Sequence, residues 1–146
     1  PDTTYILGPG ATLHKLKQKI GFNGTPLGVD IWRTKKVQDL SKTSPISGTL
    51  IGEDANESKI LSCLTKVNVV IVSPIGGQGF IFGRGNGQIS PTVLENCTIQ
   101  LIGSQNKLDS LDVLRVDTGD LNMDLKLRGW MRVHTGRFQT RMIEVV

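Results

Sequence analysis

Between residues 69 and 73 the chain reads Val-Val-Ile-Val-Ser, an almost unbroken run of β-branched residues. A strand with one wet face alternates apolar and polar side chains, whereas a run that is apolar on both faces has to be covered on both. This predicts a strand inside a sheet, parallel to its neighbours, with other elements packed above and below it.

The flanking sequence agrees. Thr4 to Leu7 is a short strand stopped by Gly8-Pro9-Gly10. Ala11 or Thr12 then opens a helix in which Leu13, Leu16 and Ile20 recur at helical spacing. Lys15, Gln18 and Lys19 face away, and Gly21 stands where a C-cap belongs. After the turn Asn23-Gly24, Leu27 to Trp32 reads as a second strand, which fits the length of a βαβ unit. Residues 34 to 52 read as a polar surface connection, with a short strand or hairpin around Val37 and Thr49 to Ile51.

Asp54 to Glu57 has capping-box spacing and leads into a helix through Ile60, Leu61, Leu64 and Val67. Ser90 and Pro91 read as N-cap and first helical position of a short helix through Val93, Leu94 and Glu95. Thr98 to Ile102 is a strand, Ser104 caps a short helix through Leu108 and Leu111, and Val113 to Val116 is extended. Leu121 to Leu127 is helical, and strands Trp130 to His134 and Met142 to Val146 lie on either side of Gly136. Alternating strands and helices predict one α/β domain over residues 1 to 146: a mainly parallel sheet flanked by helices, with right-handed crossovers and a Rossmann-like three-layer architecture.

At 146 residues the chain has room for one core and not for two. It contains no apolar run of the roughly 18 residues that a membrane helix needs, and no signal segment opens it, so the expectation is a cytoplasmic protein without membrane contact. A first residue of Pro1 rather than Met leads us to expect a fragment whose N-terminal neighbour holds part of the function. Cys63 and Cys97 have no His or Cys partner at ligand spacing, so they read as small buried apolar residues, and no metal set is assigned. The sequon Asn96-Cys97-Thr98 has no use without a secretory signal. Lys and Arg exceed Asp and Glu by only 17 to 13 and are spread along the chain, a pattern that suits an anionic small ligand and not a nucleic-acid groove.

Glycine is where the composition departs from average: 17 residues, against roughly 10 at the usual frequency of about 7%. Gly76, Gly77, Gly79, Gly83, Gly85 and Gly87 crowd one segment. Glycines let backbone amides turn toward a ligand, as phosphate-binding nests require. Arg84 offers a planar, permanently charged fork for phosphate oxygens, with Gln78, Asn86 and Gln88 as neutral donors. No Gly-Lys-Ser/Thr ends the segment, and its spacing is not that of the dinucleotide fingerprint. The competing reading is structural: tight turns with Arg84 as a buried strut.

Two further candidates exist. Gly8, Gly10 and Thr12 sit between a strand and a helix, where open α/β sheets bind ligands. Asp117, Thr118 and Asp120, with Asp30 as an isolated acid after the second strand, have the chemistry to orient a ribose hydroxyl, a metal or a proton acceptor. Asp and Thr at a turn more often bond their own backbone, which is the competing reading. His14 and His134 have no Ser or Cys partner, so no triad and no catalytic residue is assigned.

These residues also carry a resemblance. Tyr5 to Thr12, Leu27 to Asp30, Asp54 to Leu61, Pro74 to Asn86, Ile89 to Pro91, Lys107-Leu108 and Val116 to Asp120 occur in the order in which they occur in a known family. Together they resemble the C-terminal region of the predicted ATP- or polyphosphate-dependent NAD kinase family, which includes the acetoin-catabolism X proteins. Two departures stand out: Asn86-Gly87-Gln88 replaces the family's Asn-Gln-Gln, and Val133 to Arg137 differs from its aliphatic and aromatic pattern.

The resemblance implies a domain that binds a nucleotide or phosphorylated ligand opposite an N-terminal kinase-like domain. The whole enzyme would use NAD and ATP or polyphosphate, with Mg. Gly76, Gly77 and Gly79 would line phosphate, Arg84 would hold it, and Asp117 and Asp120 would orient ribose or metal. The family's Gly-Gly-Asp-Gly-Thr motif lies upstream and is absent here, so this polypeptide alone is expected not to transfer a phosphoryl group. Two other classes stay open: a phosphosugar- or acyl-CoA-handling α/β enzyme domain, and a non-catalytic dimerisation or regulatory domain that forms a homo-oligomer.

Overall fold

The computed structural model describes residues 2 to 34 and 48 to 146; the expected strand around Val37 lies outside them. In chain order the elements are β1 (Thr3–Leu7), α1 (Ala11–Ile20), β2 (Asp30–Thr34), β3 (Gly48–Gly52), α2 (Glu57–Cys63), β4 (Val67–Val72), β5 (Phe80–Phe82), α3 (Pro91–Leu94), β6 (Thr98–Ile102), α4 (Gln105–Asp109), β7 (Arg115–Val116), α5 (Leu121–Leu127), β8 (Gly129–Gly136) and β9 (Gln139–Val145). Seven strands form one sheet in the order β3-β2-β1-β4-β6-β8-β9, and β5 and β7 form a small parallel ribbon. Among the described residues no helix is long and apolar enough to cross a membrane.

The β-branched run is β4, and it is covered on both faces as its composition requires. Val69 and Ile71 join Leu7, Leu13 and Trp32 in the cluster beneath α1. Val70 and Val72 join Ile6, Ile31, Leu101, Val133 and Ile143 in the larger cluster on the other face. Register explains the sorting: Tyr5 and Leu7 lie opposite Val69 and Ile71, and Ile6 lies opposite Val70, so alternate side chains of paired strands share a face.

The sheet is mixed, which corrects the expectation of a mainly parallel one. β1·β4, β4·β6 and β6·β8 are parallel, whereas β3·β2, β2·β1 and β8·β9 are antiparallel. The pairings establish an α/β domain with a parallel centre and antiparallel edges, and no more than that of a Rossmann-like layering.

The opening strand, helix and strand are therefore not a βαβ unit. After α1 the chain returns to the end of β1, where the Gly10 amide donates to the Pro26 carbonyl at 2.9 Å. β2 thus starts beside Leu7 and runs the opposite way, beginning at Asp30 rather than Leu27.

Helix ends follow local chemistry. The hydroxyls of Ser90 and Ser104 accept the N–H groups of Val93 and Lys107, as N-caps do. One expected start moves. Asn56, not Asp54, caps α2 by accepting the Lys59 N–H, and α2 ends at Cys63 because Val67 is already in β4. α1 opens at Ala11, one of the two expected positions, and its N-cap Gly10 supplies no side-chain acceptor, so this helix starts uncapped; Gly21 closes it as expected.

Candidate functional site

In open α/β sheets a crevice forms where neighbouring strands send their connections to opposite sides. Here that place lies between β1, whose chain leaves toward β2, and β4, whose chain leaves toward β6. A crevice of about 330 Å³ occupies it. Its walls come from the ends of three adjacent parallel strands: Pro9 to Thr12 after β1, Ser73 to Gly76 after β4, and Ser104 and Lys107 after β6.

The chemistry of the walls suits an anion. Among the described residues no carboxylate lines the crevice. The uncapped first turn of α1 presents backbone N–H groups and the positive end of its dipole, with no acidic residue in that turn. Across from it the Lys107 ammonium donates to the Gly76 carbonyl at 3.1 Å, which fixes the cation at the rim. Gly8 makes the approach of the strands possible: a Cβ there would lie 2.9 Å from Val72 Cγ1, and the Gly8 amide extends the ladder to the Ile71 carbonyl at 3.0 Å.

The glycine segment turns at once. Ile75 and Phe80 exchange backbone hydrogen bonds at 2.7 and 3.2 Å, closing Gly76-Gly77-Gln78-Gly79 into a hairpin loop. Gly77 is exposed and Gly76, at φ +70°, lies beside it; a Cβ at either position would point into open space. The Gly79 amide is spent inside the loop on the Gly76 carbonyl at 3.4 Å, so it is not among the amides that face outward. Gly77 and Gln78 line a second depression, of about 450 Å³, with Phe80, Leu111, Asp112 and Arg115.

Farther along, Arg84 is exposed rather than a buried strut. Its guanidinium lies 4.3 Å from the Phe80 ring centroid, and its Nε approaches Asp117 Oδ2 at 3.4 Å. Gly83, at φ +95°, passes so close to the Asp117 carbonyl that no Cβ fits between them. Gly85 lies against Ile75. Asn86 is fully buried and donates to the Ile81 carbonyl at 2.8 Å, while its Oδ1 has no partner among the described residues.

The remaining acids serve the fold. The Thr118 hydroxyl donates to Asp124 Oδ1 at 2.6 Å, and Asp120 Oδ1 caps α5 by accepting the Met123 N–H at 2.9 Å. Asp30 is not isolated. It lies completely buried against Lys17 Nζ at 2.8 Å and accepts from the Thr25 N–H, the Thr25 hydroxyl and the Asp54 N–H. Burial alone would push the Asp30 carboxyl up, but Lys17 and these donors outweigh it and hold it below its ordinary value. The three ammonium protons of Lys17 are used as well, since Nζ also meets the carbonyls of Thr25 and Gly28 at 3.0 and 3.2 Å.

The structure thus gathers Gly10, Thr12 and Gly76 at one crevice. Gly77 and Gln78 stand beside it, Arg84 and Asp117 form a separate pair, and Asp30 sits behind α1. Ser73, Ser104 and Lys107 are the crevice residues that sequence reasoning does not propose as ligand groups. Their signal is positional, because all follow the ends of strands that the sequence shows.

The family model of the ATP-NAD kinase C-terminal domain matches residues 1 to 145. The chain belongs to that family. Comparison with curated proteins gives no match, and neither does comparison with solved structures.

Proposed function

We propose that this ATP-NAD kinase C-terminal domain binds a phosphate group of a nucleotide or polyphosphate in the crevice between β1 and β4, as its share of an NAD-phosphorylating enzyme completed by an N-terminal domain. The observation that carries this is the crevice at the switch point of the sheet, with an uncapped helix start on one wall, Lys107 on the other and, among the described residues, no carboxylate between. The residues fit an anion. Phosphoryl transfer depends on positioning and charge neutralisation, and both can be supplied by backbone amides and a fixed ammonium.

Within this reading Thr12, Gly76 and Gly77 present amides or a hydroxyl to phosphate oxygens, Gly10, whose own amide goes to the Pro26 carbonyl, lets the ligand approach the backbone closely, and Ser73, Ser104 and Lys107 complete the set. Arg84, held on Phe80 with Asp117 beside it, stands ready at the far end of the same glycine segment for a second anionic group. Among the described residues no three Asp, Glu, His or Cys side chains converge, so we assign no metal ligands to this domain. ATP would supply the transferable phosphoryl group and NAD the accepting hydroxyl.

The test is titration of the isotopically labelled chain with NAD, ATP and polyphosphate. The amides of Gly10 to Thr12 and of Gly76 to Asn86 should shift at up to millimolar ligand, and silence of both groups would sink the reading. Lys107→Ala should weaken binding about tenfold, the typical worth of one charge-assisted hydrogen bond.

A further inference from the structure

The phosphate crevice opens sideways. Ala11, Thr12 and Ser104 line both it and a larger groove, of about 640 Å³, that runs between α1 and the turn joining β8 to β9. The floor of this groove is apolar, with Leu16 from α1 and Ile102 from the end of β6. Its rim is basic: Lys15 and Lys19 stand one helical turn apart on one side, and His134 and Arg137 on the other. Among the described residues no carboxylate lines it, and Lys15, Lys19 and Arg137 make no ion pair there.

An apolar floor between unpaired cations is a poor solvent-facing surface, because it exposes hydrocarbon while concentrating like charge. It suits a ligand that brings a flat or apolar body and negative charge together. We infer that the groove is a second subsite for the ligand held in the crevice: the phosphate sits at the start of α1, an apolar or aromatic body lies on Leu16 and Ile102, and a further anionic group meets Lys15, Lys19 and Arg137. The occupant is a phosphorylated organic ligand rather than a wholly inorganic polyanion, which would leave the apolar floor uncovered. This rests on the crevice reading above and adds a preference that the crevice alone does not create.

A matched pair of probes tests it, inorganic pyrophosphate and ADP, which share a diphosphate and differ in the organic body. Pyrophosphate should shift the amides of Gly10, Thr12, Gly76 and Ser104. ADP should shift these and also Leu16, Lys19, Gly103, Thr135 and Gly136, and should bind about tenfold more tightly, the gain expected from covering a few tens of Å² of apolar surface. The double variant Lys15→Glu, Lys19→Glu should lower severalfold, more at low salt, the affinity of 3′-phospho-ADP, whose added phosphate is the further anionic group, and leave pyrophosphate nearly unchanged. Equal affinities with shifts confined to the crevice would overturn the groove subsite and spare the crevice reading. Shifts from both probes that avoid Gly10, Thr12 and Gly76 would overturn the crevice reading itself.

Discussion

Two acid–base pairs have opposite fates. Lys17 and Asp30 meet at 2.8 Å with both side chains wholly out of solvent, whereas Arg84 and Asp117 meet at 3.4 Å with more than half of each side chain exposed. Each is overlaid by a glycine at positive φ: Gly24 crowds the first pair and Gly83 the backbone carbonyl of the second pair's acid. The buried pair is spent entirely on joining α1 to the loop before β2. The surface pair leaves guanidinium donors and a carboxylate edge available to something else. Charge at a glycine-rich turn therefore marks a ligand-facing group only when the protein leaves part of its hydrogen-bonding capacity unused.

The largest test of this contrast is Lys17→Met, which leaves the Asp30 carboxylate buried without its cation. It should cost about 3–5 kcal/mol in denaturant unfolding. Gly83→Ala comes next: Gly83 holds a φ of +95° that L residues avoid, and a Cβ there would have to displace the Asp117 backbone, at about 2–4 kcal/mol. A loss from Gly83→Ala larger than that from Lys17→Met would reverse the order of the two regions. Gly24→Ala should cost about 1–3 kcal/mol, since its Cβ would press on Lys17 Cδ and Asp30 Oδ2 at 2.6 and 2.8 Å.

Acid titration sharpens the same comparison. The folded-state pKa of Asp30 is depressed below its ordinary 3.8, so the unfolded chain binds the proton first. The stability it contributes is complete above that value and is lost as pH falls below it through the folded pKa. Asp30→Asn should flatten this acid limb in pH-dependent denaturant melts. The smallest effect belongs to Arg84→Ala, within about 1 kcal/mol of the parent in thermal or denaturant melts, as exposed pairs usually are.

Much of the sheet is readable in the sequence because its physics is local. Val69 to Val72 could only be a strand covered on both faces, and Ser90-Pro91 could hardly be anything but a helix start. The direction of β2 is hidden, since the same residues serve a parallel or an antiparallel neighbour and the choice is made by a long-range bond from Gly10 to Pro26. The burial of Lys17 does leave a trace: four residues after Leu13 and one after Leu16, it falls on the apolar stripe of α1. Of the site, the loops at strand ends are visible. Their convergence is not, because it depends on β1, β4 and β6 being neighbours in space.

The ribbon of β5 and β7 is tied to the end of β9. Leu114 donates its amide to the Glu144 carbonyl at 2.8 Å and accepts the Val146 amide at 2.9 Å, and the Val116 amide reaches the Val146 carbonyl at 3.4 Å. In kinetic terms this makes the glycine hairpin a late structure, since it borrows its platform from residues far downstream in a pairing of high contact order. The β8–β9 hairpin forms from near neighbours and can wait as a preassembled dock. A protease that trims the chain before Glu144 would remove the fastening without touching the hairpin loop itself, and the loop would lose its shape with its sequence intact.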